Sequence, residues 1–378
     1  MTRMLHTSDW HVGRRIRGMS RQAEQESVLD EIVGVAEDRS VDVVLVAGDQ
    51  FDVTSPPPWA EHLVYSTLMR LGRLAPTIVV AGNHDHAARL AAVGPLLRLA
   101  GVRVGAHVAR AEDGGVVDLP DAGVHVSLLP WQSQRGIVSA DDLMSKDAFE
   151  HSQSYSDRMR RIVAALVESR PADRIGVVVG HLTAHGASAS GSERDVHTVV
   201  DYSVPASVFA GDLSYVALGH FHRSQKVPAG PPVWYTGSPL QLDFGEVGEE
   251  KQVLVVDADI GTPAKVTPVP LSSGRRLVRL RGTLEEVAAA SESLPDDALV
   301  RVEIDEPRRA GLADEVRELV PGVVEVVLAE AVRPDRADPP EARLGRPRHE
   351  VFGEYLAERG VEDDRIIRLF SELVEEAS

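Results

Sequence analysis

Five short polar motifs contain side chains that can bind metal ions or transfer protons. In chain order they are Asp9-Trp10-His11, Gly48-Asp49-Gln50-Phe51-Asp52, Gly82-Asn83-His84-Asp85, Gly180-His181 and Gly219-His220-Phe221-His222. Each motif follows an apolar run rich in β-branched residues, so each is predicted to lie at the end of a strand. One such motif alone would be a simple turn, because Gly, Asn and Asp all favour turns. Five of them in one chain indicate a shared centre.

The side chains at these strand ends offer two carboxylates, one amide and four imidazoles, namely Asp9, His11, Asp49, Asn83, His181, His220 and His222. The sequence has no Cys, so a metal must be bound through nitrogen and oxygen. Mixed ligands of this kind suit Mn, Fe or Zn better than Ca or Mg. The set is large enough for two ions with one shared ligand. Two ions about 3.5–4 Å apart can activate a water and stabilise a phosphoryl group under attack.

Spacing distinguishes paired donors from single ones. Asp9 and His11 are two residues apart, as are His220 and His222, and in extended backbone such pairs point to the same side. His185 lies near His181 and stays undecided. The remaining histidines are expected to be solvated or core residues: His6, His62, His86, His107, His125, His151, His197 and His349.

The motifs also suggest individual roles. Asp49 is the natural bridge, because the two oxygens of a carboxylate can face two ions, and Asn83 adds a neutral ligand. His84 belongs to no chelating pair, so it is expected to protonate the leaving oxygen or to stabilise the developing charge. Asp85 is then expected to hold the tautomer of His84. Asp52 either orients ligands from behind or serves as a cap or turn residue.

Basic and hydroxyl groups near the motifs are weaker candidates. Arg14, Arg15 and Arg223 lie beside ligands in sequence and either contact phosphates or form solvated surface. Gly237-Ser238 is more simply a tight turn than a phosphate contact.

Alternating apolar patterns predict the elements that position these groups. Strands at 4–8, 41–47 and 77–81 alternate with helices around 28–36, 56–74 and 87–99, the last interrupted near Gly94-Pro95. This order predicts a layered α/β domain with its site at the carboxyl ends of the strands. Strands at 124–129, 175–180, 215–218, 233–235 and 252–256 are expected to form a second sheet, and the Gly- and Ser-rich segment 186–194 a mobile loop. We therefore expect two sheets packed face to face and flanked by helices.

The composition changes near Ser272-Ser273-Gly274, which divides the chain into four parts. Residues 1–272 form the predicted main domain. Residues 273–332 read as β-α-β-α-β, a small α+β domain, with Thr283 and Glu286 in capping-box spacing. A Pro-rich linker follows at 333–348. Two amphipathic helices at 349–378 either dock back on the chain or bind a partner.

Charge and hydropathy limit the possible functions. The net charge is −18, whereas nucleic-acid binders usually carry a basic surface. Either the substrate is not nucleic acid, or DNA is held by local basic groups, bound cations and a partner. No apolar run approaches the roughly 20 residues of a membrane span. We expect no membrane association and a cytoplasmic protein.

The order of the motifs D-x-H, G-D-x-x-D, G-N-H-D, G-H and G-H-x-H resembles the calcineurin-like metallophosphoesterases over about residues 4–256. The opening His6-Thr7-Ser8-Asp9-Trp10-His11-Val12-Gly13-Arg14 is similar to that of the bacterial SbcD nuclease-subunit family, relatives of the double-strand-break repair nucleases of archaea and eukaryotes. The resemblance implies a four-layer α/β metallophosphoesterase fold with a small α+β capping domain and C-terminal helices.

The resemblance also implies an activity and a ligand assignment. Asp9, His11, Asp49 and His222 would hold one Mn ion, Asp49, Asn83, His181 and His220 would hold the other, and His84 would be the catalytic imidazole. The implied reaction is metal-dependent DNA hydrolysis, as a 3′→5′ exonuclease on duplex ends and an endonuclease on hairpins and single strands. Asp52 stands where some relatives carry a second His.

Partners follow from the same resemblance. The terminal helices would grip the coiled-coil base of an SbcC-type ATPase. The segments 60–74 and 87–99 would pair two copies of this chain, giving a homodimer within a 2:2 heterotetramer. Two alternatives remain: a phosphoesterase of the same fold that acts on small molecules such as cyclic nucleotides or on phosphoproteins, and a scaffold subunit with a decayed site.

Overall fold

Residues 1–132, 155–190, 192, 203–209 and 212–328, together with 352, 356 and 370, are described by the computed structural model. The predicted linker at 333–348 lies outside the described residues, and so do the predicted terminal helices apart from those last three residues. Part of the predicted loop at 186–194 is outside them as well. The division into four domains therefore stays a prediction.

The first of two large sheets has six strands and contains the amino terminus of the chain. In spatial order its strands are β16 (Thr262–Pro270), β15 (Gln252–Asp259), β1 (Thr2–Thr7), β4 (Val43–Val46), β5 (Thr77–Val80) and β6 (Val102–Gly105). The last four are parallel, and β15 and β16 add an antiparallel edge. The near-continuous apolar runs of the parallel strands suit burial on both faces.

The second sheet also has six strands. In spatial order they are β13 (Gln225–Val227), β14 (Val233–Tyr235), β12 (Tyr215–Gly219), β9 (Ile175–His181), β8 (Val124–Leu129) and β7 (Val116–Leu119). The central strands β14, β12, β9 and β8 are parallel, so their carboxyl ends share one edge.

Helices cover the outer face of each sheet, and the inner faces pack together. Leu45, Val80, Val126 and Val177 belong to the apolar core between the sheets. The outside of the first sheet packs on α1 (Gln22–Asp38) and α2 (Pro58–Leu74), with α3 (Ala87–Arg98) beside α2. The outside of the second sheet packs on α4 (Tyr155–Glu168). The predicted four layers are confirmed.

Two details of the sequence prediction are wrong. Strand β15 pairs antiparallel with β1, so it completes the first sheet and not the second. Its apolar pattern predicts a buried strand but carries no information on which sheet buries it. Helix α3 is also continuous through Pro95, because Leu90 before it and Leu97 after it are both buried and anchor the two halves. The helix lacks one backbone hydrogen bond at Pro95, because proline has no N–H to donate.

The small α+β module has its own parallel sheet and core. Its elements are β17 (Leu277–Gly282), α5 (Leu284–Ser291), β18 (Leu299–Ile304), α6 (Leu312–Leu319) and β19 (Val323–Leu328), as predicted. Val287, Val302 and Val316 are buried together between sheet and helices. The capping box is confirmed: the Thr283 hydroxyl accepts from the Glu286 N–H, and the Glu286 carboxylate accepts from the Thr283 N–H.

Short elements complete the described chain. They are β2 (Arg15–Ile16), β3 (Met19–Ser20), β10 (Thr183–Ala184), β11 (Ser203–Val204), 3₁₀ turns at Pro120–Ala122, Ala206–Val208 and Phe244–Glu246, and a wide helical turn at Ala111–Gly115. Within the described ranges, every helix is too short or too polar to cross a membrane.

Candidate metal centre

The five motifs meet where the carboxyl ends of the two sheets face each other. Close packing of the loops depends on two glycines. A Cβ added to Gly82 would lie 2.1 Å from Asp49 Oδ1, and one added to Gly219 would lie 2.0 Å from the Ala47 carbonyl oxygen. A side chain at either position would clash with these atoms. Glycine therefore allows strand ends from both sheets to meet in one centre.

The backbone at four of the candidate ligands is not extended. Asp9, His11 and Asp49 have φ values of 52°, 45° and 52°, and His220 has 113°. Positive φ is uncommon for residues other than glycine and is concentrated at functional sites. We expected extended backbone to bring the side chains of each i, i+2 pair together, and the backbone at these pairs is not extended. Curled loops bring the side chains together instead.

The first group of donors contains Asp9, His11 and His222. One ligand atom from each lies within 4.8 Å of the other two. The Nε2 atoms of His11 and His222 are 3.1 Å apart. The side chains of all three are buried, with at most 5% exposed.

The second group contains Asn83, His181 and His220. Asn83 Oδ1 lies 2.9 Å from His181 Nε2 and 3.0 Å from His220 Nδ1. His181 Nδ1 donates to the Ala47 carbonyl at 2.8 Å, which leaves Nε2 directed at the other ligands. The pair His220 and His222 thus divides between the two groups.

Asp49 lies between the groups, but not in the predicted way. Its Oδ1 accepts the His84 backbone N–H at 2.8 Å. Its Oδ2 alone faces both groups, at 3.4 Å from His181 Nε2 and 3.6 Å from His11 Nε2. The prediction that one carboxylate oxygen would face each side is corrected: a single oxygen faces both.

The chemistry of the donors fits divalent cations. His11 Nδ1 is 3.5 Å from Asp52 Oδ1, and His222 Nδ1 is 3.2 Å from Glu246 Oε1. The negative charge of these carboxylates favours a proton on each Nδ1 atom. The lone pairs of the two Nε2 atoms then face each other across 3.1 Å and repel, and a cation bound between them would remove this repulsion.

His84 lies beside the first group, with its ring centroid 4.7 Å from that of His11. Its Nδ1 donates to the backbone carbonyl of Asp52 at 2.7 Å. The predicted role of Asp85 in holding the tautomer of His84 is therefore wrong. Asp85 instead accepts from the backbone N–H groups of Gly82 at 2.8 Å and Phe51 at 3.1 Å, which fixes the loop that carries Asn83 and His84.

Comparison with known proteins agrees with this geometry. The family model for calcineurin-like phosphoesterases matches residues 2–224. A relative from Bacillus subtilis, named as the SbcD subunit of the SbcCD nuclease, is 31% identical over 98% of this chain and 97% of its own length. The chain belongs to the SbcD group of calcineurin-like phosphoesterases. Relatives of the same name from Rhodobacter capsulatus and Escherichia coli K12 are 32% and 31% identical, each over 78% of this chain and 76% and 74% of their own lengths.

In this calcineurin-like phosphoesterase, a metal-dependent hydrolase, the pKa values reflect burial first and then the charged groups nearby. Burial raises the pKa of Asp9 to about 6 and, together with Asp49, raises that of Asp85 to about 7. Burial lowers the pKa of His11 to about 4. Burial acts to lower the pKa of His181, but the Asp49 and Asp9 carboxylates raise it to about 9. The Asp49 carboxylate therefore attracts positive charge to the middle of the site.

Asp52 supports the first group in two ways. Its carbonyl accepts from His84, and its carboxylate faces His11. Burial acts to raise the pKa of Asp52, but His11 and Arg14 hold it below its usual value. The phosphoesterase site thus favours the orienting role over that of a simple turn residue.

The weaker candidates have other partners. Arg14 contacts Asp52 at 3.4 Å and is half-buried at the edge of the site. Arg223 donates to Glu249 at 2.8 Å, and Arg15 donates to the Gly18 carbonyl at 2.9 Å. Ser238 is buried in a turn with Gly237 at φ 80°, and its hydroxyl donates to the Leu240 carbonyl; a phosphate contact by Ser238 stays a prediction.

Histidines outside the ligand set behave as expected where they are described. His6 is buried in the core beside the Tyr215 hydroxyl at 2.9 Å, and burial lowers its pKa to about 3. His125 is buried near Asp118. His151, His197 and His349 lie outside the described residues.

Sequence reasoning missed three residues of the site. Trp131 stacks on His220 with ring centroids 5.1 Å apart. Glu246 lies behind His222, and Lys251 pairs with Glu246. Trp131 follows the apolar run of β8, a signal like that of the motifs. Glu246 and Lys251 lie in an acidic stretch that looks like ordinary surface in the sequence.

Proposed function

We propose that this chain is the nuclease subunit of a DNA-hydrolysing complex and acts through two metal ions. The observation that carries the proposal is Asp49 Oδ2, which lies within 3.6 Å of a donor nitrogen from each of the two buried ligand groups. A relative over nearly the full length of the chain carries the name of a nuclease subunit. We infer the same substrate class for this protein.

Asp9, His11, His222 and Asp49 would hold one ion, and Asn83, His181, His220 and Asp49 the other. Bound divalent ions, which we propose to be Mn²⁺, would supply Lewis-acid stabilisation of the phosphoryl group and a water of lowered pKa. The mixed nitrogen and oxygen donors support this choice over Mg²⁺ or Ca²⁺. The Asn83 amide contributes no charge, which keeps its ion strongly electrophilic.

His84 would act on the leaving group. Its Nδ1 proton is fixed on the Asp52 carbonyl, so Nε2 is the atom that holds or releases a proton. A proton at Nε2 can pass to the departing oxygen or stabilise its charge. Asp85 acts indirectly, because it holds the loop that presents His84.

DNA contacts and partners extend the same proposal. Arg14, at the edge of the site, is our candidate for a phosphate contact, with Arg223 farther out. With a net charge of −18, the chain has little overall attraction for DNA. We therefore propose that an SbcC-type ATPase supplies most of the DNA grip and binds the C-terminal helices in a 2:2 complex. The expected actions are 3′→5′ exonuclease and hairpin endonuclease, in the cytoplasm at the nucleoid.

The direct test is cleavage of an end-labelled DNA duplex and a DNA hairpin by the purified chain with Mn²⁺, with and without its ATPase partner and ATP. Cleavage that the partner and ATP increase would support the nuclease. A chain that cuts no DNA under any of these conditions but hydrolyses a small phosphodiester would favour the small-molecule enzyme instead.

A further inference from the structure

Glu246 is a fully buried carboxylate directly behind the ligand His222. Its Oε1 lies 3.2 Å from His222 Nδ1. The Ser192 hydroxyl lies 2.6 Å from the same nitrogen and donates its proton to Glu246 Oε1. His222 Nδ1 thus faces two acceptors, which fixes its proton at Nδ1 and leaves the lone pair on Nε2.

The second oxygen of Glu246 is held by two donors. Oε2 accepts from the Leu242 N–H at 3.1 Å and lies 2.6 Å from Lys251 Nζ, and the Ser238 hydroxyl oxygen lies 3.3 Å away. The Lys251 ammonium supplies the counter-charge for this buried carboxylate. A charge buried this deeply persists only with such partners. The carboxylate is therefore both charged and fixed, with one oxygen aimed at His222.

We propose that Glu246 is a positioning residue for His222: it holds the imidazole with Nε2 directed to the ion shared with Asp9 and His11. The inference rests on the proposed function, which assigns these ligands to one ion. A carboxylate behind a ligating histidine fixes its orientation and strengthens it as a donor.

At the corresponding nitrogen of His181, in the second ligand group, the described partner carries no charge. His181 Nδ1 donates to a neutral backbone carbonyl, that of Ala47. Asn83 is also a neutral ligand, whereas the first group contains the carboxylate of Asp9. The ion held by Asp9, His11 and His222 should therefore bind more tightly than the other, and the tighter binding should depend on Glu246.

The test is a Mn²⁺ titration of the metal-stripped full chain, with free Mn²⁺ measured by electron paramagnetic resonance. The wild type should bind two ions with unequal affinity. Glu246→Gln should weaken the tighter site by roughly tenfold or more and leave the weaker site unchanged. The matched control is Glu249→Gln, which also loses a contact to Lys251, at 3.1 Å, but lies away from His222 and should bind as the wild type does.

A second variant controls for misfolding, because Glu246→Gln removes the nearer of the two carboxylates that pair with the buried Lys251. The double variant Glu246→Gln with Lys251→Met removes both charges and should fold while showing the same weakened site. Wild-type affinity at both sites in a folded variant would overturn the proposal. The titration uses no DNA, so a wild type that binds two ions but cuts no DNA would refute the nuclease and not the role of Glu246.

Discussion

The metal centre and the small α+β module differ in the sequence distance of the contacts that build them. In the centre, Asp9 accepts from the His220 N–H at 3.0 Å, a contact between residues 211 positions apart. In the module, Thr283 and Glu286 cap a helix three residues apart, and its strands follow one another in chain order. The centre is thus a product of the whole fold, whereas the module is encoded locally.

The two regions also differ in how they use charge. Charged groups in the centre are buried and face one another, so replacing one changes chemistry. The module meets the main domain through partly exposed ion pairs, including Arg17 with Glu325 at 2.8 Å, beside a small apolar contact of Ile16, Phe244 and Leu277. Pairs of that kind contribute about 0–1 kcal/mol each. Changes at such partly exposed pairs should alter stability slightly and leave the chemistry intact, whereas the more buried carboxylate of Glu24, 10% exposed, should contribute more.

Asp49→Ala should have the largest effect on activity. The change removes the one oxygen that faces both ligand groups, so the rate of phosphodiester hydrolysis should fall by roughly 10³-fold or more, equivalent to several kcal/mol of lost stabilisation. Single-turnover cleavage with Mn²⁺ measures this. The matched control is Asp257→Ala in β15, which loses an ion pair to Arg3 at 2.8 Å outside the centre and should keep its rate. Substantial cleavage by Asp49→Ala would refute the bridging role.

His84→Gln should retain metal but lose rate. Its imidazole is assigned to proton transfer and not to ligation, so hydrolysis should slow by roughly 10²-fold or more. The Mn²⁺ content of the purified variant, measured by elemental analysis, should equal that of the wild type. If the purified variant contains no metal, His84 is a metal ligand, and its assignment to proton transfer is wrong.

Glu24→Gln tests the contact between the main domain and the α+β module. Glu24 accepts from Arg21 at 2.6 Å and from Arg275 at 2.7 Å. The variant should lose about 2 kcal/mol of unfolding free energy at pH 7, because hydrogen bonds to charged groups are worth more than neutral ones. The rate of hydrolysis should not change.

The same variant should show a defined pH dependence. Burial acts to raise the pKa of Glu24, but Arg21 and Arg275 hold it below its usual value in the folded chain. Its contribution is therefore complete above the unfolded pKa, near 4.3, and is lost as pH falls through the folded value. Thermal unfolding of wild type and variant should converge at acidic pH. A constant difference would show that the carboxylate charge is not responsible.

Thr283→Ala should have the smallest effect. Loss of the capping hydroxyl should cost about 1 kcal/mol of stability, confined to the module. Hydrogen exchange of α5 measures this directly, and cleavage of DNA should be unaffected. A fall in hydrolysis would show that the module and the centre are more tightly coupled than their contacts suggest.

The difference between the regions explains what could be predicted from the sequence. Each ligand motif follows its own apolar run, and the module's elements and capping box are local, so all of these were visible. The partner of His84 was not, since Asp52 and Asp85 are both acidic neighbours and only the fold brings the Asp52 carbonyl to Nδ1. The role of Glu246 and the sheet to which β15 belongs could not be predicted for the same reason, because both depend on contacts between residues far apart in the sequence.

The central claim is that two ions share Asp49 between two ligand groups. Anomalous diffraction from crystals of the Mn²⁺-loaded chain tests it most directly. We predict two peaks about 3.5–4 Å apart, one beside His11 and His222 and one beside His181 and His220, with Asp49 Oδ2 between them. A single peak, or peaks that Asp49 does not contact, would contradict the account.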